Sequence, residues 1–226
     1  MYSSETLKKY TDYMNESLAK YDARNVQGMR VCISKGNKKI GHVMNVSLLA
    51  GKTCGNCSGC IKYCYDIKAC MRFRKNVLDR RAENTVLATK YRAEYFAQIR
   101  DALMHRQVNK FFRWHVSGDI LDADYLDNMV KIARDFPNFK FWTYTKRYDI
   151  VNAYCDNGGQ VPENLSIMFS KWKGMPMDNR HGFPTFETIL KGDDRPKGFY
   201  CPNGCGYCLR NHRGCPYGES TFVDEH

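Results

Sequence analysis

The sequence predicts an α/β fold with a mainly parallel sheet made from repeated βαβ units, either open or curled into a partial barrel. Three observations carry this. Between residues 42 and 170, aromatic and β-branched stretches alternate with stretches of helical period. Four such strands separated by three helices require crossover connections, and crossovers join parallel strands. At 226 residues and 43% hydrophobic, the chain is long enough for one α/β domain over residues 1–226 and too short for two ordinary ones.

Ser3 or Ser4 caps a first helix within residues 1–25, with Leu7, Tyr10, Met14, Leu18 and Tyr21 on one face. A strand follows at 42–48, then a cysteine-rich loop over 49–74. Leu87, Tyr91, Tyr95, Ile99 and Leu103 recur every fourth residue, so a long helix begins near Asn84 and fades at Gln107. A strand over 111–117 ends at Gly118, and alternation puts His115 and Ser117 on one face. Asp122 caps a helix that stops before Pro137. Residues 140–145 are aromatic and form the third strand. Asp149 caps a short helix ending near Asn157, and residues 165–170 form the fourth strand. Beyond these the chain reads as irregular, with a cysteine-rich segment over 195–226.

Ligands of such folds collect beyond the C-terminal ends of the strands. The first cysteine loop, Ser117 to Asp119, Thr145 to Arg147 and Ser170 to Trp172 all fall at that edge.

No run approaches the roughly 18 apolar residues of a membrane span, and Met1 to Thr6 lack a signal-peptide pattern. A cytoplasmic chain is expected. Eleven cysteines, an odd number, argue against a disulfide framework and for metal binding. The net charge of +11 favours a polyanionic partner, a nucleic acid or a phosphorylated small molecule. The excess is local: residues 68–113 hold twelve Lys or Arg against four Asp or Glu, and residues 195–218 hold four against none. Both basic stretches coincide with cysteine clusters.

The first cluster is Cys54-x2-Cys57-x2-Cys60-x3-Cys64, with Cys70 beyond it. The spacing is that of bacterial ferredoxins, with Tyr65 in place of the usual proline, and it suits an iron–sulfur cluster or four-coordinate zinc. The second is Cys201-x3-Cys205-x2-Cys208, closed by Cys215. It resembles the radical S-adenosylmethionine motif, in which three cysteines hold a [4Fe-4S] cluster and the fourth iron binds that cofactor. Here it stands at the C-terminal end instead of after the first strand, and Cys215 is available as a fourth ligand. Cys32 and Cys155 stand alone and read as small buried residues.

Asp119 at a strand end is a candidate general base or substrate ligand, or else a turn former. His115 is either a catalytic or a packed histidine. Lys146, with Arg147, suits a phosphate or carboxylate. Arg72, Arg74 and Lys75, with Phe73 among them and Arg80 and Arg81 following, form a candidate nucleic-acid contact; solvated helical faces look similar.

Cys60-x3-Cys64-Tyr65, the run from Arg113 to Asp119, the run from Phe141 to Lys146, and Cys201-Pro202 with Cys205 and Cys208 occur in that order. Together, across roughly residues 45–215, they resemble the gene product 88 family of phages and mobile elements. The resemblance implies a phage or mobile-element origin, a host cytoplasm as location and a cysteine-ligated metal centre; it supplies no reaction. The layout is also similar to radical S-adenosylmethionine partial barrels at the level of fold. Two function classes follow: an iron–sulfur enzyme, radical-type in one form, acting on a nucleotide or nucleic acid, and a zinc-stabilised nucleic-acid-binding protein without catalysis. A structural phage component is a third. The ferredoxin-type spacing at an α/β mouth favours the first.

Overall fold

The computed structural model describes residues 1–55, 57–105 and 109–225. Its centre is a seven-stranded sheet in the order β1-β2-β3-β4-β5-β7-β6, with every pairing parallel. The strands are β1 (Met44–Asn45), β2 (Phe111–Arg113), β3 (Lys140–Thr145), β4 (Leu165–Lys171), β5 (Thr185–Ile189), β6 (Phe199–Tyr200) and β7 (Thr221–Asp224). Outer strands β1 and β6 do not pair with each other, so the sheet is open.

Strands β1 to β5 are laid down side by side in chain order. Right-handed crossovers that always step the same way place their helices on one face. The crossover helices are α2 (Tyr65–Arg72), α3 (Asp79–Lys90), α4 (Arg92–His105), α5 (Ala123–Asp135) and α6 (Tyr148–Asp156), and α1 (Ser4–Asp22), ahead of β1, packs on α3 on the same side. The core of that face takes Phe112 from β2, Phe141 from β3 and Leu165, Ile167 and Phe169 from β4, packed on Tyr95, Ile99, Leu126 and Val151 of the helices. Alternation turns the next residues the other way: Val43, Trp142 and Met168 form a second apolar cluster with Cys215. That face is covered by the C-terminal segment, α7 (Cys205–Asn211) and the 3₁₀ turn Cys215–Tyr217.

Local chemistry explains the element ends. Ser3 Oγ accepts from the Thr6 N–H at 3.2 Å, and an Asp122 carboxylate oxygen accepts from the Tyr125 N–H at 2.9 Å. Both are N-caps of the expected kind. The α5 helix stops at Asp135, before Pro137, and β3 covers the expected residues.

Several expectations change. The 42–48 strand is only two residues long, and the 111–117 strand stops at Arg113 because His115 and Gly118 take φ of 49° and 81° and turn the chain. The helix expected from Asn84 begins at Asp79 and breaks at Tyr91, whose ψ of 49° is not helical; its expected end, Gln107, lies outside the described residues. Arg147, not Asp149, is the N-cap of α6, and Asp149 sits in the first turn. The 49–74 loop contains α2. The tail expected to be irregular carries β5, β6, α7 and β7. Among the described residues no helix is long and apolar enough to cross a membrane.

Gly118 is the tightest point between the sheet and the first cysteine loop. A Cβ there would lie 2.6 Å from Leu48 Cβ and 2.6 Å from Thr53 Oγ1, on a backbone already at positive φ. Gly118→Ala is expected to lower stability by about 1–3 kcal/mol in urea unfolding; an unchanged midpoint shows that this contact does not hold the loop.

Candidate functional site

The C-terminal edge of the sheet opens into a cavity of about 480 Å³. Four stretches of chain build its wall, one of them Asn37, Lys39 and Ile40 ahead of β1. Cys54, Cys57 and Cys60 come from the first cysteine loop; Arg113, Asp119, Tyr144, Lys146 and Ser170 come from the strand ends; Cys201 and Cys205 come from the C-terminal segment. Two cysteine segments far apart in sequence thus face one space.

The first loop is wound in tight turns. The N–H groups of Cys60 and Ile61 both donate to the Cys57 carbonyl, at 3.1 and 2.8 Å, and the Cys64 N–H donates to the Ile61 carbonyl at 3.3 Å. Steps of three and four residues in such turns keep Cys57, Cys60 and Cys64 on one side. The loop is held over the end of β3 by Arg147. That guanidinium is fixed by Asp149 at 3.0 Å and by the Leu121 carbonyl at 2.9 Å. Its stem crosses Gly55, where a Cβ would stand 2.2 Å from Arg147 Cδ.

All eleven cysteines are free thiols. The Cys54 thiol is pushed up to about 12, by burial first and then by the nearby Asp119, Cys57 and Cys64. Burial also raises Cys57 and Cys64, and Cys60 adds to both. Neighbouring buried thiolates repel one another, so these sulfurs keep their protons unless a cation replaces them. An all-sulfur donor set of this kind fits iron–sulfur or zinc by chemistry. Among the described residues, no three Cys, His, Asp or Glu side chains stand close enough to ligate one ion as the loop lies. Ligation therefore requires the thiols to draw in.

The second cluster is divided. Cys201 and Cys205 reach the cavity, while Cys208 and Cys215 are buried, 6% and 7% exposed, beneath it. Cys215 packs against Trp142 and Met168. Cys70 is also buried, with Arg81 Nη1 3.3 Å from its sulfur. Cys32 and Cys155, expected to be buried, are half-buried.

Of the residues expected to act, Asp119 and Lys146 both reach the cavity. Asp119 is committed: one oxygen accepts from Thr145 Oγ1 at 2.6 Å and the Ile120 N–H at 2.7 Å, and the other accepts from the Lys146 N–H at 2.8 Å. Burial raises its pKa while those bonds oppose the shift. It fastens the turn after β2 to the end of β3. Lys146 Nζ donates to Ser170 Oγ at 3.1 Å and has no carboxylate partner among the described residues. His115 also borders the cavity, but both its ring nitrogens are engaged, by Thr143 Oγ1 at 3.1 Å and by the Tyr125 hydroxyl at 3.0 Å. Burial, with Arg113 adding to it, lowers its pKa to about 3, so it stays neutral. It is a packed histidine.

Part of the charge of the basic stretches is paired. Arg74 pairs with Glu16, Arg80 with Glu83, and Arg81 with Asp66 in a buried pair. Arg195 pairs with Asp224 and Arg213 with Glu219. Of the five cations expected to contact nucleic acid, Arg72 and Lys75 are exposed with no ion pair among the described residues. Arg81 is withdrawn altogether, because its side chain is 14% exposed and its charge is used on Asp66.

Sequence reasoning missed Arg113 and Tyr144 as cavity residues. The signal was present: one arginine interrupts the apolar run Phe111-Phe112-Arg113-Trp114, where a parallel strand buried on both faces has little room for charge.

A profile of the family described as gene product 88 matches residues 13–182. The chain is 28% identical over 166 residues to the Gene 88 protein of Mycobacterium phage D29, covering 68% of this chain and 67% of that protein. It is 29% identical over 147 residues to the Gene 88 protein of Mycobacterium phage L5, covering 60% and 59%. No solved structure matches. The profile spans the first cysteine loop and β1 to β4 and stops before the second cysteine cluster.

Two outcomes follow from the geometry. Asp119→Ala should cost on the order of 2–4 kcal/mol of stability in chemical unfolding, because it strands buried donors; a loss under about 0.5 kcal/mol shows that the carboxylate does not hold the fold. His115 takes a proton near pH 6.5 when unfolded and only near 3 when folded. Its contribution is whole above pH 6.5 and is lost as pH falls towards 3, at up to about 1.4 kcal/mol per pH unit. His115→Gln should flatten stability against pH in that window, and an unaltered slope counts against the neutral ring.

Proposed function

The chain belongs to the gene product 88 family, and from that premise we propose that it is an iron–sulfur enzyme acting on a small polar ligand, a nucleotide or a single nucleotide of a nucleic acid. The observation that carries the reading is the convergence of both cysteine segments on one cavity at the C-terminal edge of a parallel sheet. This is where α/β folds place their ligands. A volume of about 480 Å³ suits a nucleoside-sized molecule, S-adenosylmethionine included.

Cys54, Cys57, Cys60 and Cys64 would hold the group, at the rim. Bound there, it would supply one-electron chemistry. The rest falls to the chain. Arg147 and Gly55 seat the loop, and Asp119 fixes the end of β3. Lys146, steadied by Ser170, presents an ammonium to the bound molecule, and the C-terminal segment closes the far wall. The second cysteine cluster sends only two of its thiols to the cavity, which supports the first loop as the open centre.

Sulfur donors also suit zinc, so the reading with a zinc-held nucleic-acid-binding module remains the competitor on metal type. The ion pairing of Arg74, Arg80 and Arg81 removes most of the basic surface it relied on.

Anaerobically purified protein is expected to be brown, with iron and acid-labile sulfide. Cys57→Ser or Cys60→Ser should lose most of that iron, and Cys155→Ser should keep it. Equilibrium binding of S-adenosylmethionine to the loaded protein tests the radical-type form separately. Colourless protein with stoichiometric zinc and no labile sulfide replaces the enzyme reading with the zinc one.

A further inference from the structure

One cation in the cavity has no protein counter-charge. Arg113 ends β2 and lies in register with Trp142, so it belongs to the sheet face away from the helices. Its guanidinium stands over the Tyr144 ring, 4.6 Å from the centroid. Its Nε is enclosed and has no hydrogen-bond partner, and among the described residues no carboxylate pairs with it. The nearby acid of the cavity, Asp119, has both oxygens engaged by Thr145 and by the N–H groups of Ile120 and Lys146. Lys146, also without an ion pair, lines the same space.

Three cations, Lys39, Arg113 and Lys146, therefore line a cavity whose one lining carboxylate is already engaged. An enclosed guanidinium nitrogen without a partner is costly, whereas several arginines of this chain find acids even when exposed, as Arg195 finds Asp224. Guanidinium is a planar fork of donors that matches a phosphate bidentately, and a second cation alongside suits a dianion better than a monoanion.

We infer that Arg113, with Lys146, is the receptor for the phosphate group of a phosphorylated small molecule bound in the cavity. The inference deepens the function proposed above and rests on its cavity as the ligand site, but not on its metal. Tyr144 holds the guanidinium in place from one side, leaving the part of the half-buried side chain that lines the cavity to the ligand. The C-terminal segment that carries Cys201 and Cys205 forms the opposite wall.

The test uses the full chain as isolated, with inorganic pyrophosphate and inorganic phosphate as probes in isothermal titration. Pyrophosphate should bind saturably at about one per chain. Arg113→Gln should weaken it at least tenfold, Arg113→Lys should restore part of the loss, and Lys146→Met should weaken it less. Iron and sulfide are measured on the same samples, so loss of phosphate binding and loss of metal are read separately. Metal-free protein that binds pyrophosphate through Arg113 upholds the inference and sinks the iron–sulfur reading. Loaded protein that binds no pyrophosphate does the reverse.

Should Arg113→Gln fail to fold, phenylglyoxal modification of the unaltered chain, mapped by mass spectrometry, supplies the second measurement: phosphate should protect Arg113 from reaction. Equal modification with and without phosphate overturns the proposal, as does unchanged affinity in Arg113→Gln. Loss of metal from Arg113→Gln also overturns it, since the guanidinium then serves as counter-ion to the thiolates.

Discussion

A parallel sheet with apolar side chains on both faces has to be covered twice. Here the chain-order arrangement of β1 to β5 sends the crossover helices to a single side. The opposite face, with Val43, Trp142 and Met168, would be left to water. What covers it is the cysteine-bearing C-terminal segment, which packs Cys215 and Leu209 into that second cluster. The cover is partial. It seals the middle of the sheet and stops below the C-terminal strand ends, and the uncovered remainder is the cavity. Position of the site and position of the second cysteine cluster are two consequences of the same packing requirement.

The distribution of charge follows from how the chain returns on itself. About half of the cations of the two basic stretches meet acids brought from elsewhere in the chain: Arg74 meets Glu16 of α1, Arg92 meets Asp122 and Asp124 at the start of α5, and Arg213 meets Glu219 in the final turn. A run of like charge in sequence is therefore partly neutralised in space. Exposed pairs of this kind contribute little stability individually, but they reduce the net charge of both stretches. Against that background an arginine in an enclosed site without an acid is a departure from the chain's own habit.

The parts of the fold legible in the sequence were those set by local chemistry. The caps at Ser3 and Asp122, the stop before Pro137 and the aromatic strand 140–145 need only a few neighbouring residues to be determined. The tail was illegible because β5 and β7 are short and half-buried, and no helix separates β4 from β5 to announce a crossover. The break at Tyr91 hid inside an unbroken four-residue period, since periodicity reports which side chains face inward and not whether the axis bends. At the site, the edge could be read from strand ends, and Asp119, Lys146 and three first-loop cysteines do lie there. The meeting of that loop with Cys201 and Cys205 could not, because it depends on which element caps the second face.

The same packing ties the two cysteine clusters together. Cys205 opens α7, and α7 with the turn at Cys215 is anchored on β3 and β4 through Trp142 and Met168. The first loop is anchored on the end of β3 through Arg147 and on the turn after β2 through Gly118. Both cysteine segments are thus referenced to β3, the central rail of the site, while the loop's own thiols are held only by short turns. The anchors at Thr53 and Gly55 both sit at the N-terminal end of the loop, so drawing the thiols in around a metal requires movement beyond them, at Cys57 to Cys64. A rigid wall and one adjustable loop form an arrangement in which metal binding can order the rim without disturbing Arg113 and Lys146 at the floor.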